Sequence, residues 1–149
     1  MGVTLAREDV IDALKVGDHS STFGGNPLIC AAAAAAIDVV VTENLPERAA
    51  TLGMYFMGKL EEIRQKCRII REVRGKGLMI GVECRFDIYD ILVGTQNRGA
   101  IILDAGRNVL RFLPPLVIIK EQLDKVATIV DAVVGEEDAR SRGLPSKAP

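Results

Sequence analysis

Apolar residues recur every three or four positions in several stretches of the chain, the spacing that places them on one face of a helix. In one stretch, six consecutive alanines, Ala31–Ala36, add high helix propensity and a thin profile. The pattern predicts helices over residues 4–16, 28–44, 46–66, 87–99 and 120–134.

Between the third and fourth of these helices, the pattern changes to that of strands. Residues 69–77 and 77–86 predict two strands joined by a turn at Gly75–Gly77. Two shorter strands are predicted in AIILDAG and NVLRFLPP, and the second ends at Pro114-Pro115.

The predicted strands all follow residue 45, and this divides the chain. Residues 1–45 contain helices and a loop but no strand against which the helices could pack. This segment is therefore expected to be part of a larger domain. Residues 46–134 alternate strands and helices, which predicts a compact α+β unit. Residues 135–149 are polar and contain Pro, Gly and Ser, which predicts a flexible tail.

Composition and charge exclude several function classes. The 149 residues include 19 Lys and Arg against 20 Asp and Glu, with four Phe, two Tyr and no Trp, so no basic, aromatic-rich surface for nucleic acid is indicated. The longest apolar runs are shorter than the roughly 20 residues that span a membrane. The first residues are charged and lack the long apolar region of a signal peptide. We expect a soluble, cytoplasmic chain that binds neither nucleic acid nor membrane.

Few side chains could carry catalysis or hold a metal. Cys30, Cys67 and Cys84 are odd in number and lack CxxC spacing, so they are expected to be reduced, buried thiols. His19 is the only histidine, and neither a Ser/His/Asp set nor a metal-ligand set can be assembled around it. A structural role for His19 is favoured, and no metal is predicted.

The stretch HSSTFGGNP, residues 19–27, combines hydroxyl side chains with glycines just before the alanine-rich helix. Asn26 is a good N-cap and Pro27 suits the first helical position. A helix N-terminus also attracts phosphate, and Ser20, Ser21 and Thr22 could donate to phosphate oxygens. The residues alone favour a plain capped helix over an anion site, since neither a Walker lysine nor a G-x-G-x-x-G motif is present.

An arginine lies between apolar residues in VLRFLPP. Strand alternation places Val109, Arg111 and Leu113 on one face. An arginine in apolar surroundings needs a carboxylate, so Arg111 pairs with a protein Glu or Asp or binds an acidic substrate. The alternative is an edge-strand arginine that reaches water, and the residues leave these readings open.

Together these motifs carry a family resemblance. GDHSSTFGGNPLICAAAAAAIDVV, VRGKGLMIGVE, RGAIIL and NVLRFLPPLVI occur in the order found in class III aminotransferases, which use pyridoxal 5'-phosphate. The chain resembles the acetylornithine and ornithine type over residues 2–134. The resemblance implies the C-terminal portion of such an enzyme: residues 1–45 end the large cofactor-binding domain of a fold-type I transferase, and residues 46–134 form its small α+β domain.

The resemblance also implies roles for individual residues. Thr22 matches a threonine that contacts the cofactor phosphate across a homodimer interface, and Ser21 matches a position that contacts substrate. Arg111 matches an arginine near the substrate carboxylate site, where it can pair with a switching glutamate. Two departures are Ser20, where many members have Gly, and Ile119, where Ser or Thr usually caps the last helix.

The catalytic residues of the family are expected to lie outside this chain. The Schiff-base lysine precedes the matching threonine by more residues than this chain has before Thr22, which places it upstream of Met1. The groups that hold the pyridine ring also match nothing here. We therefore expect the chain alone to be inactive.

Two functions remain open on the sequence. The first is amino transfer by the parent enzyme, from acetylornithine or a similar ω-amine to 2-oxoglutarate, as in arginine or lysine biosynthesis; ornithine and 4-aminobutyrate are alternative donors. The second is a non-catalytic split subunit or interaction module that docks through the alanine-rich helix.

Overall fold

The computed structural model describes residues 2–15 and 17–143. The chain divides into two compact units at the junction of Asn44 and Leu45. The first contains α1 (Glu8–Ile11) and α2 (Pro27–Thr42). In the second, the elements in chain order are α3 (Leu45–Lys66), β1 (Ile70–Lys76), β2 (Met79–Cys84), α4 (Tyr89–Asn97), β3 (Leu103–Asp104), β4 (Val109–Phe112) and α5 (Lys120–Ser141).

The second unit is built on a four-stranded antiparallel sheet of order β1-β2-β4-β3. Alternation along the strands buries one face: Ile80 and Val82 of β2 pair with Phe112 and Leu110 of β4, and all four side chains are buried. Helix α3 packs on β1 and β2 and also contacts α5, which packs against α4.

Helix α3 supplies the centre of the core. Its apolar positions recur at helical spacing, so Phe56 and Leu60 reach the sheet and are almost fully buried. Phe56 meets Phe112 edge to face, with ring centroids 5.3 Å apart. The mixed helix–strand composition with an antiparallel sheet agrees with the predicted α+β class.

The predicted helices and the hairpin form, with three differences in their bounds. The first helix is one turn only, Glu8–Ile11, because it lacks a side-chain cap and buries no residue. The hairpin turn lies at Gly77-Leu78 rather than Gly75–Gly77, since Lys76 pairs with Met79. Gly77 takes a φ of +56°, which favours glycine at that position.

The last helix continues beyond the predicted end at residue 134, to Ser141. Asp138 explains the extension, because it is buried and accepts a hydrogen bond from the Arg68 backbone N–H at 2.9 Å. This hydrogen bond attaches the polar end of α5 to the segment between α3 and β1. Residues 144–149 of the predicted tail lie outside the described residues. At the other end of α5, Ile119 lacks a capping hydroxyl, and the Gln122 side chain accepts from its backbone N–H at 3.1 Å.

Burial of the thiols was predicted correctly for two of three cysteines. Cys67 and Cys84 are buried in the core, whereas Cys30 is exposed on α2. The reason is local, since α2 buries none of its residues within this chain. No single helix among the described residues is both long and apolar enough to cross a membrane; only α2 and α3 taken together satisfy that criterion.

Candidate functional site

The loop before α2 is held by Asn26. Its side-chain oxygen accepts from the Ile29 N–H at 3.0 Å, and its amide nitrogen donates to the Phe23 carbonyl at 2.7 Å. This is the predicted N-cap, with Pro27 in the first turn. Because Pro27 carries no N–H, the Leu28 N–H is the first-turn donor left without a described partner.

The hydroxyl side chains of this loop are exposed. Ser21 Oγ accepts from the Gly24 N–H at 3.2 Å, which makes a tight turn, and Gly25 follows with a φ of +71°. Thr22 makes no side-chain hydrogen bond within the described part of the chain and faces solvent. The loop thus presents a free hydroxyl beside the positive end of a sixteen-residue helix, a donor set that fits phosphate oxygens.

Arg111 lies on β4, an interior strand, so the alternative was wrong about an edge strand, although Arg111 does reach solvent as that alternative expected. It pairs in register with Gly81 of β2 and Leu103 of β3. Leu110 and Phe112 point into the core and Arg111 to the opposite face, where it is exposed, as alternation predicts. Within the described residues, no carboxylate lies within ion-pairing distance of its guanidinium.

Arg111 is among the residues that line an apolar groove of about 390 Å³ in the second unit. The other lining residues carry no charge and come from α3, the segments around β3 and β4, and α5: Phe56, Ala100–Leu103, Phe112–Pro115, Ile118, Leu123 and Val126. Because Arg111 is exposed, its guanidinium is accessible to a carboxylate, and the guanidinium geometry suits two parallel N–H···O hydrogen bonds to such a group.

The three predicted site residues fall into two units. Ser21 and Thr22 belong to the first, and Arg111 belongs to the second. The first unit therefore presents the exposed hydroxyl side chains before α2, and the second presents the exposed Arg111.

The remaining candidates contribute no site. His19 is exposed and makes no side-chain hydrogen bond within the described residues. No group of three or more His, Cys, Asp or Glu residues in the described part of the chain could hold a metal ion. Arg74 of β1 pairs with Glu83 at 2.7 Å and with Glu72 at 2.9 Å, and its hydrogen bond to Glu83 lowers the pKa of the Glu83 carboxyl.

Two residues near Arg111 were not singled out by the sequence. Gly81 pairs in register with Arg111, and a side chain there would meet the Val109 side chain at 3.3 Å; its place in a strand was the only signal. Arg48 of α3 donates to the carbonyls of Val117 and Ile118 at 3.2 and 2.8 Å, and so fixes the segment that follows β4. Nothing in the local sequence marks that long-range contact.

Comparisons with known proteins identify the family of this chain. The sequence model of the family described as aminotransferase class III matches residues 1–134. The acetylornithine aminotransferase of Methanothermobacter thermautotrophicus is 43% identical over 136 residues, 91% of this chain and 35% of that protein. Ornithine aminotransferase 2 of Staphylococcus aureus is 45% identical over 124 residues, 83% of this chain and 31% of that protein.

Solved structures show the same relationship. The ornithine δ-aminotransferase of Plasmodium falciparum superposes with a TM-score of 0.84 at 38% identity, over 91% of this chain and 36% of that one. For the acetylornithine aminotransferase of Elizabethkingia anophelis the TM-score is 0.80 at 38% identity, over 89% and 36%.

The chain belongs to the class III aminotransferase family. It spans about a third of the length of the curated relatives it matches.

Proposed function

We propose that this chain is the C-terminal portion of a pyridoxal-phosphate-dependent aminotransferase that transfers an amino group from acetylornithine or a similar ω-amine to 2-oxoglutarate. The first unit would end the large domain and the second would be the small domain. The observation that carries the proposal is the match of residues 1–134 to one family, together with the exposed hydroxyl loop and the unpaired Arg111.

The loop residues would act on the cofactor and substrate. Bound pyridoxal phosphate supplies an electron sink that stabilises negative charge at the substrate carbon. The Thr22 hydroxyl would donate to a phosphate oxygen of the cofactor across a homodimer interface. Ser21, one residue earlier, would contact the substrate. The exposure of the loop supports these roles, because nothing within the described part of the chain covers the Thr22 hydroxyl.

Arg111 would bind the carboxylate of 2-oxoglutarate. Its guanidinium has five N–H donors, which match the two oxygens of a carboxylate in a fork. The apolar groove that Arg111 helps to line would accommodate the aliphatic part of the substrate. When an amine donor without a second carboxylate binds, a glutamate elsewhere in the parent enzyme would pair with Arg111 instead.

Isolated, the chain would be inactive, since the lysine that holds the cofactor would lie upstream of Met1. The test is to mix the pure chain with pyridoxal phosphate, reduce with borohydride and locate adducts by mass spectrometry. We expect only scattered, substoichiometric adducts and no transamination. A stoichiometric adduct at one lysine with turnover would show that this chain contains the catalytic lysine.

The second candidate is a non-catalytic subunit that docks on another polypeptide. The observation that favours it is the exposure of α2, which buries no residue within this chain despite its apolar composition. Size-exclusion chromatography with and without the N-terminal portion of a relative tests this docking. A stable monomer with no affinity for that portion would exclude it.

Ornithine and 4-aminobutyrate remain alternative amino donors under the same proposal. The relatives are named for acetylornithine and for ornithine, and they match this chain to a similar degree. Rates of the reconstituted parent enzyme with each amine, measured at equal 2-oxoglutarate, would distinguish them.

A further inference from the structure

A cationic groove lies in the second unit, where the end of α3, the start of β1, the end of β2 and the end of α5 meet. It encloses about 700 Å³ and lies apart from the groove that contains Arg111. Its charged lining consists of five cationic side chains and one carboxylate: Arg64, Lys66, Arg68, Arg85, Arg142 and Asp138.

The single carboxylate is already occupied by protein partners. Asp138 is 6% exposed, and its Oδ1 accepts from the Arg68 backbone N–H at 2.9 Å. Its Oδ2 forms an ion pair with Arg142. Asp138 therefore neutralises Arg142. The other four cations have no carboxylate partner among the described residues that line the groove.

Two of those four are paired from outside the groove. Arg64 forms an ion pair with Glu61 of the same helix, which raises the pKa of the guanidinium and lowers that of the carboxyl. Lys66 lies 3.4 Å from Asp131 of α5. Within the described residues, Arg68 and Arg85 have no carboxylate within ion-pairing distance.

The two unpaired arginines meet at the groove through one hydrogen bond. Arg85 Nε donates to the Arg68 backbone carbonyl at 2.9 Å, which anchors the Arg85 side chain at the groove. The two terminal nitrogens of the Arg85 guanidinium make no hydrogen bond within the described part of the chain, so they remain available as donors. Because both arginines line the same groove, an anion bound there would interact favourably with both positive charges.

We propose that this groove binds a small anion that carries two phosphate groups, with Arg68 and Arg85 as its main ligands. Guanidinium groups match phosphate oxygens bidentately, and two arginines that line one groove can each bind one of two linked phosphates. The concave, positively charged wall raises the local concentration of such an anion. This site is independent of the cofactor phosphate proposed at Thr22, which lies in the first unit.

The test is a titration of the full chain with inorganic pyrophosphate by isothermal titration calorimetry, in a buffer free of phosphate. Arg68→Gln and Arg85→Gln remove one guanidinium each, and Arg85→Lys keeps the charge but loses the fork. Arg107→Gln is the matched control, because Arg107 is 93% exposed and lies outside the groove. Thr22→Ala reports binding at the α2 loop, and thermal melting checks that each variant folds.

We expect saturable binding that weakens about tenfold or more in each glutamine variant, since a charge-assisted hydrogen bond contributes about 1.5–3 kcal/mol. Arg85→Lys should bind with intermediate affinity, while Arg107→Gln and Thr22→Ala should bind like the parent chain. Higher salt should weaken binding because the site is partly exposed.

Three results would overturn the proposal. These are an absence of saturable binding, unchanged affinity in folded Arg68→Gln and Arg85→Gln, and loss of binding in Thr22→Ala alone. Equal affinity for citrate would contradict the preference for phosphate. Backbone amide shifts confined to residues 66–70, 85–86 and 138–142 on adding pyrophosphate would support the location.

Discussion

Gly53 of α3 lies directly against Gly77 of the β1–β2 turn. A methyl carbon at position 53 would lie 2.0 Å from the Gly77 carbonyl oxygen and 2.3 Å from its carbonyl carbon, where no carbon atom fits. Helix and hairpin therefore approach this closely only because residue 53 is a glycine, whereas at Gly77 the positive φ of +56° is what favours glycine. This contact sets how α3 lies on the sheet that presents Arg111.

Gly53→Ala is expected to destabilise the second unit. The methyl group meets backbone atoms that cannot rotate away, so the helix must shift, and overpacking of this kind costs about 1–3 kcal/mol or more. Gly58→Ala, on the same helix, is the matched control: nothing lies within 4 Å of its position, and helix propensity predicts a gain of about 0.5–1 kcal/mol. Urea unfolding of both variants checks this, and equal effects would contradict the close contact.

Arg48 is expected to stabilise the segment after β4. Its Nη2 atom donates to two carbonyls there, and Arg48→Met keeps the aliphatic stem while removing both hydrogen bonds. We expect a loss of about 1–3 kcal/mol in the free energy of unfolding and faster hydrogen exchange near Pro114–Ile119. Lys125→Met, an exposed cation of α5 without a described hydrogen bond, should change neither quantity.

Stability is expected to fall at alkaline pH because of Cys84. Burial, and secondly the negative charge of Glu83, raise the pKa of the Cys84 thiol from about 9 to about 11. The folded chain keeps this proton to higher pH than the unfolded chain. The stability that the protonated thiol contributes is therefore fully present below pH 9 and is lost between about pH 9 and 11. A shift of this size corresponds to about 2–3 kcal/mol.

The check is the free energy of unfolding of Cys84→Ala across that window. The variant should be less stable near neutral pH because it loses a buried sulfur, but its stability should depend less on pH above 9. Cys30→Ala removes an exposed thiol and should keep the slope of the parent chain. Parallel profiles for the parent chain and Cys84→Ala would exclude this source of alkaline destabilisation.

The sequence predicted the parts of the fold that depend on local pattern. The helical spacing of apolar residues in 46–66 was sufficient to predict α3. The N-cap Asn26 and the following Pro27 were sufficient to predict where α2 begins. Strand alternation around Arg111 gave the correct face, because alternation is a property of the strand itself. It could not show that β4 is an interior strand, which depends on the distant partners β2 and β3.

The features that the sequence missed all rest on long-range contacts. Helix α5 continues past residue 134 because Asp138 finds the Arg68 backbone, seventy residues away in the chain. Cys30 was expected to be buried and is not, since α2 has no buried residue in the described part of the chain. The roles of Ser21, Thr22 and Arg111 come from a family resemblance, and physical pattern alone favoured a plain capped helix and left Arg111 open.

The most direct test of the account restores the missing part. Residues 1–134 would replace the aligned segment of the Methanothermobacter thermautotrophicus acetylornithine aminotransferase, and the conversion of 2-oxoglutarate to glutamate would be measured with acetylornithine as donor. We predict turnover, weaker cofactor binding in Thr22→Ala, and a KM for 2-oxoglutarate raised about tenfold or more in Arg111→Gln. A folded chimera that binds pyridoxal phosphate but shows no turnover, or whose Thr22→Ala and Arg111→Gln variants behave like the parent, would contradict it.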